Sequence, residues 1–404
     1  YADFSLPNAS YRGRWFNPNF KKSSDEDQKP DRIWDRQSAE AILQKCLGKP
    51  ASVSEEKKPS SQSCPPLYDL TSLQREANSR FNFTARKTLQ ILQALYEKHK
   101  VLTYPRTDSR FLPTDYLPSI QQILSSIHIQ ELVPFAKQAL DSGWVKLNPR
   151  IFDNSKVTDH HAIIPTNTPP KSLDDAETKI YDLVTRRLVA IFYPPARFEI
   201  TTRISIVQGE SFRSEGKILL DPGWLAVYGK SLPSNDQNKD SDTSDKILPP
   251  IPQNYSPLTA NIEIKTCQTK PPPRFTEASL LAAMEGAGKF VEDDELRQAL
   301  SERGLGTPAT RAQIIEGLVA DGYVNRIGRD LHATQKGISL IALLRSMGIQ
   351  ALTSPELTGE WEFRLKKIEQ GQFDRAQFMQ QICSFTSDVV HKAKSFSGEI
   401  PSDN

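Results

Sequence analysis

The chain has 404 residues, 37% hydrophobic and 25% charged, with 29 prolines and a net charge of +2. That length admits roughly two to four domains with cores of their own, joined by polar, proline-rich connectors. The near-neutral charge excludes a uniformly basic nucleic-acid binder and leaves only local patches for such contact. No apolar run nears the roughly 18–20 residues that cross a bilayer, and no signal peptide opens the chain.

The sequence starts at Tyr1 and enters directly at a strand, so it reads as a piece whose N-terminal part is absent. Four segments, 21–31, 48–66, 232–253 and 396–404, are markedly polar or proline-rich. The third has no apolar periodicity and is expected to be a disordered insertion or long loop. Residues 67–100 predict two helices. Thr71 and Gln74 are spaced as a capping box for the first, and Leu89, Leu92, Leu95 and Tyr96 form an apolar stripe on the second. A strand over 101–104 and a basic turn through Arg110 follow, then an amphipathic helix over 176–194. From 197 to 230 the pattern alternates, as in Phe198-Glu-Ile-Thr-Thr-Arg-Ile-Ser-Ile-Val207, with turn residues at Gly209, Gly216 and Asp221-Pro-Gly223. That predicts antiparallel sheet.

Residues 275–395 are helical again. Thr307 precedes Pro308 in the favoured cap-then-first-turn order, Ile314, Ile315, Leu318 and Val319 share a face, and Gly322 is a stop. A strand over 323–327, a turn at Gly328 and the segment 330–334 complete a winged-helix pattern. The plan recurs as helix 84–98, strand 101–104 and the turn to Arg110. Two such units favour nucleic-acid contact, although winged helices also serve as protein–protein modules. The four cysteines, at 46, 64, 267 and 383, are too scattered for a zinc ribbon or a disulfide framework, which fits a reducing, intracellular setting.

Residues 103–112, Thr-Tyr-Pro-Arg-Thr-Asp-Ser-Arg-Phe-Leu, carry the strongest functional signal. Pro105 cannot continue a helix and biases Tyr104 towards extended backbone. A phenol oxygen and the phosphate-binding fork of Arg106 thus share one stiff segment, with Lys98, His99, Lys100 and Arg110 around them. That is the chemistry of a tyrosine attacking a phosphodiester; a packed turn beside a solvated basic face has the same composition.

In order along the chain come Leu73-Gln-Arg-Glu-Ala77, Thr84-Ala-Arg-Lys-Thr88, Gln93-Ala-Leu-Tyr-Glu97, Leu102-Thr-Tyr-Pro-Arg-Thr-Asp-Ser109 and Asp159-His-His-Ala-Ile-Ile-Pro-Thr166. Phe275-Thr-Glu-Ala-Ser279, Gly304-Leu-Gly-Thr-Pro-Ala-Thr310 and Ser354-Pro-Glu-Leu-Thr-Gly-Glu-Trp361 follow. Together they resemble the type IA DNA topoisomerases, most closely the topoisomerase III branch, over nearly the whole length.

The resemblance implies an α+β multidomain toroidal gate. Residues 1–64 and 193–273 would form a β-rich arch, with the disordered insertion 232–253 in its second part. Residues 65–192 would be a winged-helix-like catalytic-tyrosine domain, 274–395 a helical single-strand-DNA-binding base, and 396–404 a tail. It implies ATP-independent cutting, passage and resealing of single-stranded DNA. Tyr104 would form a 5′-phosphotyrosine link, Arg106 would bridge phosphate oxygens, and His160 would hydrogen-bond the scissile phosphate or an acid beside it.

Gln93, Glu97, Thr107, Asp108 and Ser109 match positions near the family's active site and are expected to contact the DNA. Thr310 and Arg311 match the loop-to-helix start that touches the strand, where free amides favour phosphate. Trp361 is a candidate for stacking on a base or for burial. His160 and His161, adjacent on a strand, would point to opposite faces and share no metal.

The family's Toprim domain, with its Mg²⁺-holding acids, lies before the point where this sequence starts. Mg²⁺ is therefore expected there and not in this chain, which is expected to be inactive alone. Asp293-Asp-Glu295 reads as a solvated helix face. The implied setting is a cytoplasmic, nucleoid-associated monomer, with single-stranded DNA as substrate and a helicase or single-strand-binding protein as partner. The alternatives are a non-enzymatic DNA-binding remnant of the same fold and a tyrosine recombinase, which the sheet at 197–230 fits poorly.

Overall fold

The computed structural model describes all residues except 22–24, 26, 158, 230–246, 291–296, 298–299, 301–303 and 399–404. Most of the expected insertion at 232–253, Asp293-Asp-Glu295 and most of the tail lie outside the described residues; residues 247–253 form neither helix nor strand. The chain divides into two compact units, residues 1–64 with 193–272 and residues 65–192 with 273–404.

The first unit is built on one antiparallel sheet. Its strands are β1 (Ala2–Leu6), β2 (Ala9–Phe16), β3 (Ser52–Gln62), β4 (Ala196–Val207), β5 (Glu210–Asp221) and β6 (Leu258–Ile262). They are ordered β3-β4-β5-β2-β1-β6. The alternation over 197–230 becomes the β4–β5 hairpin. Gln208 and Gly209 form its two-residue turn, with φ of 50° and 86°, the positive values that match strand twist. Phe4, stacked on Tyr11 with ring centroids 5.0 Å apart, packs with Phe212, Val207 and the buried Cys46 of helix α1 (Arg36–Cys46). Burial pushes the Cys46 thiol up to about 11, so it behaves as a small apolar side chain.

The polar segment 48–66, read as connector from its composition, contains the eleven-residue β3. It pairs with β4 along its whole length and exposes nearly every side chain, so it has no apolar alternation to display. The sheet's two edges meet at one corner, where the Ala51 amide donates to Pro257 O (2.8 Å) and the Thr259 amide to Lys49 O (2.9 Å). The short helix α7 (Leu225–Tyr228) follows β5.

The second unit is mainly helical. Its first helices are α2 (Leu70–Phe81), α3 (Ala85–Gln93), α4 (Leu117–Ser125), α5 (Val133–Asp141), α6 (Asp175–Ala190) and α8 (Glu277–Glu285). Helices Pro308–Ala320, Gln335–Ser346, Glu356–Glu369 and Arg375–Ser395 follow, with the hairpin Val324–Ile327 and Asp330–Ala333 after the first of them. The helix over 308–320 starts as the sequence reading expects, with Thr307 as cap and Pro308 in the first turn.

Helix α2 is capped two residues earlier than expected. Asp69, not Thr71, forms the box, with Ser72, because the Thr71 hydroxyl is taken up in a buried bond from Arg311. Leu70, Leu73, Leu92, Leu95, Val101, Leu102, Ile163, Ile180 and Val184 make the core beneath the tyrosine segment. Each such leucine contributes about 1.5–3 kcal/mol on burial. Among the described residues no helix is long and apolar enough to cross a membrane.

Candidate active site

Helix α3 does not end cleanly. Its α-helical hydrogen bonds give way to a π-helical turn over Ala94–Lys98, in which the His99 amide donates to Ala94 O at 3.0 Å. Such inserted turns often sit at functional sites because they re-aim the residues after them. Lys100 then takes a left-handed conformation, φ 56°, unfavourable by about 1–2 kcal/mol for a residue with a Cβ. Two contacts hold it there. The Thr166 hydroxyl donates to Lys100 O at 2.7 Å, and His99 Nε2 lies 3.2 Å from Glu177 Oε1, both side chains nearly buried. Glu177 also accepts from the Asp174 amide in the capping box of α6, so the end of α3 is tied to the start of α6.

After this turn the chain is neither strand nor helix. The expected strand over 101–104 reduces to a single bridge between Leu102 and Pro165, since Pro105 offers no amide with which to extend a ladder. Side chains replace the ladder. The Thr103 hydroxyl donates to Ala162 O (3.2 Å) and accepts from the Ile164 amide (3.0 Å), while the Thr103 amide donates to Ile164 O (3.0 Å). The Thr107 hydroxyl donates to His160 O (3.0 Å), and Ser109 Oγ donates to Lys156 O (2.8 Å). On the other side the Leu70 amide donates to Thr107 O at 3.0 Å. The segment is thus clamped between the start of α2 and residues 156–166.

That clamp brings Tyr104 and His160 together, their rings 4.1 Å apart. Neither histidine lies on a strand as expected. They still separate, His160 against Tyr104 and His161 against Tyr116 at 4.8 Å. Tyr96, read from the sequence as part of an apolar stripe, is 37% exposed and meets Tyr104 edge-on at 5.5 Å.

The polar ends at the site divide into free and committed groups. Among the described residues the Tyr104 hydroxyl, the exposed Arg106 guanidinium and the exposed His160 ring nitrogens make no hydrogen bond or ion pair. Exposed Glu97 and Asp108 have no ion pair either, and Gln93 is half-buried one turn before Glu97. Thr107 and Ser109 are buried, with their hydroxyls spent on the clamp. Thr310 is exposed, but its hydroxyl closes the capping box with Thr307. Arg311 points inward, 3% exposed, and donates to Thr71 Oγ1 (2.9 Å) and Leu305 O (3.1 Å). Trp361, neither fully exposed nor fully buried, packs edge-on to Phe385 at 6.1 Å.

Two shifts describe the electrostatics. Burial holds His161 below the ordinary histidine range, opposed by its bond to Ala162 O and reinforced by His160. Burial draws the charge of Arg110 down, but Asp69 and then Glu285 more than reverse it, so this guanidinium is held firmly charged. The sequence reading missed Asp69 and Glu285, which lie far from the motif in the chain. Arg110 itself stood inside the motif, without a role.

A family model described as DNA topoisomerase matches residues 12–380, which include every one of these groups. The chain belongs to the type IA DNA topoisomerases. Its relatives put it in the topoisomerase III branch. It is 38% identical to DNA topoisomerase 3 of Bacillus subtilis over 386 residues, 94% of this chain and 52% of that protein. To DNA topoisomerase 3 of Bacillus cereus (ATCC 10987) it is 40% identical over 361 residues, 88% of this chain and 48% of that protein. The chain therefore spans about half the length of the curated relatives it matches.

Full-length topoisomerase I from Thermotoga maritima superposes with a TM-score of 0.65 at 22% identity, covering 91% of this chain and 56% of that one. That likeness shows a shared type IA topoisomerase fold. Among the described residues no three His, Cys, Asp or Glu side chains are grouped to hold a metal ion. The described residues around Tyr104 therefore do not fit a Mg²⁺ site.

Proposed function

We propose that this chain carries the nucleophile and gate of a type IA topoisomerase that opens and reseals one DNA strand without ATP. The Tyr104 oxygen attacks a backbone phosphate, the Oη–P bond forms and the P–O3′ bond breaks. The phenol proton is lost and the departing 3′ oxygen gains one, leaving a 5′-phosphotyrosine and a free 3′ hydroxyl. Attack by that hydroxyl reverses each change and restores the strand, so one phosphodiester replaces another. A free phenol has a pKa of about 10, so the phenolate character of the attacking oxygen needs stabilisation. Arg106 supplies a planar fork to the phosphate oxygens, and His160 donates to the same phosphate.

The observation that carries this reading is the pairing of a clamped backbone with a Tyr104 hydroxyl and an Arg106 guanidinium that have no partner among the described residues. Placement is fixed in advance, and no internal bond has to break when a strand arrives. Gln93, Glu97 and Asp108 border the strand, while Thr107, Ser109 and Arg311 serve it by holding the backbone. At the start of the 308–320 helix Pro308 has no N–H and the Thr310 and Arg311 amides bond Thr307 O, so the Ala309 amide is what that turn offers a phosphate. The toroidal arrangement, the winged-helix character of the tyrosine domain, action on negative supercoils and catenanes, and a helicase or single-strand-binding partner belong to the same reading. So does a monomeric enzyme of the cytoplasm, whose Mg²⁺ is held by acids other than the described residues.

The test is a covalent adduct with an end-labelled single-stranded oligonucleotide, trapped in the natural protein. Tyr104→Phe is expected to abolish it and Arg106→Lys to reduce it roughly 10–100-fold. An adduct through the 3′ end, or one that survives Tyr104→Phe, would refute the assignment. Residues 1–404 alone are expected not to relax supercoiled DNA, and clear relaxation by them would refute the metal's placement elsewhere.

A further inference from the structure

The clamp described above is lopsided. Towards residues 156–166 the tyrosine segment makes six hydrogen bonds, involving Thr103, Thr107, Ser109 and Phe111. Towards α2 it has one backbone bond, from the Leu70 amide to Thr107 O. What completes that side is Arg110. Its Nε donates to Asp69 Oδ2 at 2.5 Å and its Nη2 to Glu285 Oε1 at 2.7 Å. Asp69 is 3% exposed and caps α2, so it is fixed from both directions.

Glu285 is the last residue of α8, the end at which a helix dipole disfavours an acid. The cations around it offset that placement: Arg110, Arg75 at 3.4 Å, and the field of the buried Arg311. Gly304 closes the cluster from the loop before the 308–320 helix. A Cβ there would lie 2.4 Å from Met284 O and 2.9 Å from Arg311 Nη2.

We infer that Arg110 is a positioning residue for Tyr104, fixing the nucleophile's reach through Asp69 and Glu285 and not by touching DNA. The inference rests on the reading of Tyr104 as nucleophile. Both working edges of the Arg110 guanidinium are occupied within the protein, whereas Arg106, four residues earlier, has none occupied among the described residues. Two arginines in one motif thus divide the work, one left open for a phosphate and one spent on the scaffold. A fork can hold Asp69 and Glu285 at once; a lysine offers a single point of charge.

The test measures, in the natural protein with Mg²⁺ supplied, the rate of adduct formation at saturating single-stranded oligonucleotide and, separately, the affinity for that oligonucleotide. Arg110→Ala is expected to slow adduct formation roughly 10–100-fold, the usual effect of a nucleophile displaced by about 1 Å. Affinity is expected to stay within about two-fold, since removal of a group that acts only on placement leaves binding alone. Arg110→Lys recovers part of the rate. Glu285→Gln, which keeps the Asp69 pair and with it the fold, gives an intermediate loss and stands in if Arg110→Ala does not fold. Unchanged rates in all three variants overturn the inference. So does a loss of affinity with the saturated rate intact, which would make Arg110 a strand ligand. A Tyr104→Phe protein that still forms the adduct instead overturns the nucleophile assignment.

Discussion

Thr103→Val tests the clamp itself, because it changes almost nothing but one hydroxyl. That oxygen accepts from the Ile164 amide at 3.0 Å and donates to Ala162 O at 3.2 Å, and both Ala162 and Ile164 are fully buried. Valine fills nearly the same volume and restores neither bond. The Ile164 N–H is then left buried without a partner, a penalty of about 1–3 kcal/mol, and the lost bond to Ala162 O adds about 0.5–1.5 kcal/mol. The expected destabilisation of the second unit is therefore about 2–4 kcal/mol. Thr103→Ser keeps both bonds and loses one methyl, an effect of about 0.8 kcal/mol at most. Native-state hydrogen exchange on a peptide spanning 160–166, followed as a function of urea, reads the local opening free energy directly. If valine and serine lie within about 0.5 kcal/mol of each other, the hydroxyl does not hold the segment and the account of the clamp is wrong.

Two further outcomes follow from the structure. His161 is held below its unfolded value of 6.5 by burial, so the unfolded chain binds the extra proton first. Its contribution to stability is complete above pH about 6.5 and is lost as pH falls below that towards the depressed folded value. The difference in urea midpoint between wild type and His161→Gln should shrink across that window on acidification, and a constant difference would count against it. In the first unit, Gly223 has φ +48° and a Cβ there would lie 2.4 Å from Pro194 O and 2.7 Å from Pro195 C and O, all backbone atoms. Gly223→Ala should destabilise by at least about 2 kcal/mol in thermal or urea unfolding, and a neutral result would mean that the Pro194-Pro195 corner yields.

What was legible in the sequence, and what was not, follows from the range of each signal. The β4–β5 hairpin showed because alternation and a two-residue turn are local. The start of the 308–320 helix showed because Thr-Pro is a local pair. Strand β3 did not show, because an edge strand exposed on both faces carries no apolar period, and Lys57, Lys58 and Pro59 read as connector. The α2 cap was misread by two residues because the competition for Thr71 comes from Arg311, 240 positions away. At the site, Tyr104 and Arg106 stood out by residue type and spacing, and His160 through the family resemblance. The inward turn of Arg311 and the acids that hold Arg110 depend on tertiary partners that no local window contains.

Strand β3 has a consequence beyond its place in the sheet. From Ser52 onward its outer side has no strand neighbour among the described residues, so a long row of backbone donors and acceptors faces solvent. A row of that kind is a template for another chain. The Glu55-Glu-Lys-Lys-Pro59 run supplies close-set charges and a missing amide along it, which penalise any strand that tries to add. The composition that hid this strand from a reading of the sequence thus disfavours the addition of another strand at this edge. Its side chains are free to change identity, but not to become apolar, without inviting self-association at the sheet's edge.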